Sequence, residues 1–95
     1  AIAAVDGVDG LFIGPADLSA SLGYVGQQGH PAVRAAIDDA FARIVKTGKA
    51  AGFLTPDEDL SKRSIEQGVT FMAVGLDVNL LARHTSALAS RFKSV

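Results

Sequence analysis

The chain has 95 residues, 48% of them hydrophobic and 20% charged, with a net charge of -1 and no cysteine. That is a folded globular composition; it rules out a disulfide framework and gives no basis for a nucleic-acid or anionic-membrane partner. No apolar run approaches the roughly 20 residues that span a bilayer, and with no signal peptide or cysteine the sequence fits the cytoplasm.

In chain order, Ala1–Val5 reads as the tail of a helix, in mid-pattern and without an initiator Met. Val8, Leu11, Phe12 and Ile13 form a short apolar run closed by Gly14-Pro15, which predicts a buried parallel strand over about residues 10–14. One acid, Asp17, follows directly. A carboxylate just past the C-terminal end of a parallel strand stands where α/β proteins place their chemistry. The alternative is that Asp17 only caps a short turn over Leu18–Leu22, since Asp is a favoured N-cap. Gly23–Gly29 is a glycine-rich connection. His30-Pro31 then opens a helix over Ala32–Thr47, whose Val33, Ile37, Ala40, Phe41, Ile44 and Val45 form one apolar stripe and which Gly48 closes.

Ala50–Leu54 is a second short strand. Thr55-Pro56-Asp57-Glu58 reads as a capping box with Thr55 as cap, and the helix it opens ends at Gly68. Val69–Gly75 is a third apolar strand, and Asp77 is expected to cap a last helix over about Val78–Phe92. Alternation of strand and helix with short links means parallel βα units, an α/β fold.

A hard divalent cation wants oxygen ligands and keeps waters, so one or two protein carboxylates suffice when a substrate supplies the rest; Asp17 is such a carboxylate. The turn at Gly14–Asp17 also leaves free N–H groups, which suit an anion, although an ordinary tight turn explains the Gly and Pro equally well. Leu54 closes the second strand and Leu76 follows the third, so both should face the rim that carries Asp17, either as pocket wall or as plain core. Lys49 precedes its strand and belongs at the opposite end, and Lys46, Lys62 and Lys93 fall on or beside helices; none is placed for imine chemistry. His30 and His84 stand alone, without ligand spacing. Asp57, Glu58 and Asp59 fit a helix first turn, and the glycines at 7, 10 and 14 spell no nucleotide-binding fingerprint.

Four stretches carry a resemblance: FIGPADLSASLG from Phe12, GHP from Gly29, GKAAGFLT from Gly48 and FMAVGLDVNLLAR from Phe71. Together they resemble the HpcH/HpaI aldolase family over nearly the whole chain. The resemblance implies the C-terminal three βα units of a (β/α)8 TIM barrel, because such a barrel needs roughly 250 residues; residues 1–95 would be the C-terminal part of one barrel domain. It implies a divalent-metal-dependent lyase that cleaves 4-hydroxy-2-oxo acids to pyruvate and an aldehyde. Asp17 would be one ligand of magnesium, manganese or cobalt, and a Glu upstream the other. The amides of Ala16 and Asp17 would hold the pyruvate carboxylate, and Leu54 and Leu76 would touch the aldehyde part. The catalytic base, a His-Asp pair, has no counterpart in this chain. A homo-hexamer that exchanges its last helix between neighbours is also implied. Two other readings stay open: a CoA-ester lyase of the citrate-lyase-β type, and a non-catalytic α/β segment acting in assembly.

Overall fold

Residue alternation along three short strands decides which side of the sheet the helices cover. The structure, a computed structural model, describes residues 1–93. A 3-10 turn at Ile2–Ala4 leads into β1 (Gly10–Ile13), α1 (Pro15–Ser21), α2 (Pro31–Lys46), β2 (Ala50–Leu54), α3 (Glu58–Glu66), β3 (Phe71–Ala73) and α4 (Asp77–Phe92). The strands form one parallel sheet in the order β1-β2-β3. Its register stacks Ile13, Phe53 and Met72 in one cross-strand row and Phe12, Gly52 and Phe71 in the next. Successive residues of a strand point to opposite faces, so the two rows look opposite ways.

The first row, with Leu11 and Ala51, meets α2. Val33, Ile37, Phe41 and Ile44 are the buried positions of that helix, at the four- and three-residue steps that keep one face inward. Phe41 packs edge-on against Phe53, with ring centroids 5.1 Å apart at 81°, the arrangement ring quadrupoles favour. Pro31 and Gly48 bound this helix as the sequence predicts, with His30 as N-cap: its Nδ1 accepts the Ala32 N–H at 3.1 Å.

α3 starts later than the capping box predicts. Asp57, not Thr55, is the N-cap and accepts the Leu60 N–H at 3.0 Å. The Thr55 backbone is drawn toward the sheet, its N–H donating to Ala73 O at 3.1 Å, while its hydroxyl accepts the Asp57 N–H. Thr55 therefore shapes the loop ahead of the helix. The inward face of α3 carries Ser61 and Ser64, both buried. Each hydroxyl donates to the carbonyl four residues back, which satisfies a polar group inside the fold. Asp38 of α2 clips the two helices together, accepting from Arg63 at 2.8 Å and from Gln67 at 2.9 Å.

β3 is shorter than the predicted strand over residues 69–75. The Val69 N–H donates to Ser64 O and so closes the end of α3 instead of joining the ladder. α4 begins at Asp77, with Leu76 as N-cap, one residue earlier than expected. It buries none of its residues, and the molecule is accordingly elongated, 59 × 27 × 22 Å. No helix among the described residues is long and apolar enough to cross a membrane.

The second row lies on the uncovered face. Phe12 and Phe71 meet edge-on across Gly52, centroids 6.0 Å apart, and remain 49% and 69% exposed. A β-carbon at position 52 would stand 2.5 Å from Phe12 Cδ2, so the ring contact exists because residue 52 is glycine.

Candidate functional site

All three strands run the same way, so their C-terminal ends deliver Gly14–Asp17, Leu54 and Leu76 to one rim. β1 passes directly into α1 with Gly14 as N-cap and Pro15, Ala16 and Asp17 as its first residues. The reading of Asp17 as a cap for Leu18–Leu22 is overturned: the helix begins before it. Gly14 has no side chain to occupy the helix's free amides, and Pro15 has no N–H. The Leu18 N–H donates back to Gly14 O at 2.9 Å. That leaves the N–H groups of Ala16 and Asp17 as the first-turn donors without an intrahelical acceptor. The helix is oriented from behind, where Ser19 is fully buried and its hydroxyl donates to Ala16 O at 2.8 Å.

Among the described residues the Asp17 carboxylate enters no salt bridge and caps no backbone amide. It folds back over the strand end, so that a β-carbon at Gly14 would lie 3.4 Å from Asp17 Oδ2. A single cleft of about 380 Å³ collects Ala16, Asp17, Leu54 and Leu76. The sequence reading named each of these residues, and they converge at one place. The same cleft is walled by Phe12, Pro15 and Pro56, and Gln28 and Asn79 also line it. Sequence reasoning missed both. Asn79 had a legible signal, as the third residue of the helix that leaves the rim; Gln28 had none, lying in a glycine-rich loop.

The donor set suits a hard cation. Asp17 offers unclaimed carboxylate oxygens, and none of the residues lining the cleft is a His or Cys. Oxygen ligands of this kind match magnesium or manganese. No group of three or more His, Cys, Asp or Glu occurs among the described residues, so Asp17 would be a partial ligand set, completed by other groups.

The remaining candidates fall away from the cleft. Lys49 Nζ donates to Val8 O at the other end of the sheet, and Lys62 pairs with Glu58 along α3 at 3.0 Å. His30 caps α2 while its ring stacks on Tyr24 at 3.9 Å. His84 Nδ1 lies 3.0 Å from Leu80 O on the exposed last helix.

The family model of the HpcH/HpaI aldolase/citrate lyase group matches residues 1–84. The chain belongs to this family. Within it, the chain is 61% identical over 92 residues to the pyruvate aldolase of Rhizobium etli, covering 97% of this chain and 36% of that protein. It is 60% identical over 93 residues to the hydroxypyruvate/pyruvate aldolase of Pseudomonas aeruginosa, covering 98% of this chain and 35% of that one. Among solved structures it superposes on an HpcH/HpaI aldolase/citrate lyase family protein from Burkholderia cenocepacia. That match has a TM-score of 0.88 and 39% identity, and covers 95% of this chain and 35% of the other. The chain thus spans about a third of the length of the HpcH/HpaI relatives it matches.

Proposed function

We propose that this chain forms the metal- and pyruvate-binding rim of a class II pyruvate aldolase, a carbon-carbon lyase that splits 4-hydroxy-2-oxo acids into pyruvate and an aldehyde. One observation carries the reading: the unclaimed amides of Ala16 and Asp17 and the free Asp17 carboxylate open into the cleft that Leu54 and Leu76 wall. The relatives' names, pyruvate aldolase and hydroxypyruvate/pyruvate aldolase, support it. The three strand–helix units act as the closing part of a (β/α)8 barrel, with the uncovered Phe12–Gly52–Phe71 face turned inward and further strands pairing with the open edges of β1 and β3.

Each group then has a task. The two amides bind the substrate carboxylate and fix its orientation, using dipoles already aligned by α1. Asp17 holds a divalent ion (magnesium, manganese or cobalt) together with a carboxylate from elsewhere in the enzyme. When bound, the ion supplies Lewis acidity that polarises the substrate's 2-oxo group. Leu54 and Leu76 exclude water on the side where the aldehyde leaves. No residue of the cleft in this chain is assigned as the base.

In the complete enzyme, excess EDTA should abolish cleavage of 4-hydroxy-2-oxo acids, and added magnesium or manganese should restore it; full activity in EDTA would refute the metal role. Asp17→Ala should remove turnover, with a melting temperature close to the parent's because the side chain is exposed and has no partner to lose. The family also includes citrate lyases, which supports a second reading, a CoA-ester lyase; assaying pyruvate release against acyl-CoA cleavage separates the two. α4, with no buried residue, supports a homo-hexamer in which this helix is exchanged between neighbours, and monomers alone in sedimentation of the complete enzyme would remove that assembly.

A further inference from the structure

We infer that Tyr24 and His30 are positioning residues: their stacked rings clasp the end of α1 to the start of α2 and so hold Asp17 where it meets the divalent ion. The inference rests on the reading of Asp17 as a metal ligand.

α1 does not fix its own direction. It has seven residues and a glycine N-cap that gives no side-chain bond, whereas an isolated helix needs roughly 12–15 residues to persist. Leu18 packs on the core and Ser19 is fully buried, which fixes one side of the helix. One contact allows a pivot; a second sets the direction. The second lies at the far end. The Gly23 N–H donates to Ala20 O at 3.0 Å and the Tyr24 N–H to Ser19 O at 2.7 Å, with Gly23 at a φ of +87°. These are the paired bonds of a glycine-terminated helix, and they make Tyr24 a continuation of α1, bonded two residues on from Asp17.

The Tyr24 ring then leaves α1 for α2. It packs against the core and stacks on His30, with centroids 3.9 Å apart and planes 23° apart. His30 is itself held three ways. Its Nδ1 accepts the Ala32 N–H at 3.1 Å, its own N–H donates to Gln27 O at 3.0 Å, and its carbonyl accepts the Arg34 N–H at 2.9 Å. The cap bond fixes the plane of the imidazole, so α2 dictates the face on which Tyr24 lies. α2 cannot shift without opening the core, because Val33, Ile37, Phe41 and Ile44 are buried there. The stop of one helix and the cap of the next are thus joined through a single pair of rings, and the longer helix orients the shorter.

The test measures manganese binding to the complete enzyme, stripped of metal with EDTA and titrated with Mn²⁺, through the electron paramagnetic resonance signal of the free ion. Tyr24→Leu keeps an apolar side chain without a ring, and His30→Asn keeps a good N-cap without a ring. Each should raise the Mn²⁺ dissociation constant by about threefold to tenfold, the range that one aromatic pair is worth. Tyr24→Phe, which keeps the ring, should match the parent. Loss of folded protein lowers the number of sites and leaves the dissociation constant of the remaining ones unchanged, so a merely structural role does not mimic the effect. Should Tyr24→Leu not fold, His30→Asn alone decides. A parent-like constant in either ring-free variant, or a Tyr24→Phe as weak as Tyr24→Leu, would overturn the clasp. Asp17→Ala separates this inference from the metal reading beneath it. If the parent binds no Mn²⁺, or Asp17→Ala binds it as well as the parent does, both fall. If Asp17→Ala binds far more weakly while the ring-free variants match the parent, only the clasp falls.

Discussion

Position 52 shows how one missing side chain governs two parts of the molecule. Gly52 lies between Phe12 and Phe71 on the uncovered sheet face, and Phe12 also walls the cleft. Gly52→Val should push the Phe12 ring away, destabilising the complete enzyme by about 1–3 kcal/mol through overpacking and raising KM for the aldehyde. Thermal unfolding together with steady-state kinetics checks both effects, and an unchanged KM would show that the ring does not shape the site. Gly68 is constrained differently. It closes α3 at a φ of +103°, and a β-carbon there would stand 2.9 Å from Val45 Cγ2. Gly68→Ala should cost about 1–3 kcal/mol from backbone strain, measured by urea unfolding. The sequence marked Gly68 as the end of a helix, but not the need for glycine at position 52: between Ala51 and Phe53 a glycine looks the same whether it makes room for a ring or merely loosens a strand.

Among the elements, α2 and β2 were the most legible, because each carries signals that agree. Pro31 and Gly48 bracket the α2 stripe, and Ala50–Leu54 is apolar throughout between Lys49 and Thr55. The start of α3 was misread since Thr55 and Asp57 are both good caps. The tie was broken by the sheet: the bond from the Thr55 N–H to Ala73 O holds that residue outside the helix, and sequence spacing does not contain this long-range contact. Asp17 stands at the rim that the strand order implies, and only its alternative reading as a cap fails, because Gly14-Pro15 starts α1 without any side-chain cap. Between α2 and α3, Asp38 accepts from both Arg63 and Gln67 across a partly exposed seam. Asp38→Ala should lower stability by no more than about 1 kcal/mol, as is usual for a solvent-screened pair, whereas Phe53→Ala in the α2–β2 core should cost about 3–5 kcal/mol. Denaturant melts of the two variants side by side rank them, and equal losses would mean that the seam is stronger than its exposure allows.

At the scale of the whole molecule, one side of the sheet is packed and the other is bare. Phe12 and Phe71 stand on the bare side beside unpaired strand edges, and α4 shows Val78, Leu81 and Phe92 to solvent at 65–71% exposure. Surfaces of this kind draw partners. The 95-residue chain on its own should therefore bind a hydrophobic dye and self-associate. Phe71→Ser should reduce the dye signal, and a dye-silent, monodisperse chain would contradict this account.

The common direction of the strands has a last consequence. The residues that line the cleft gather at the strand exits, whereas Phe41, Phe53 and Ile37, which hold the architecture, pack on the helix-covered side of the sheet. Substitutions at the strand exits can thus accumulate without loosening the scaffold, which lets the rim change its chemistry while the framework stays as it is.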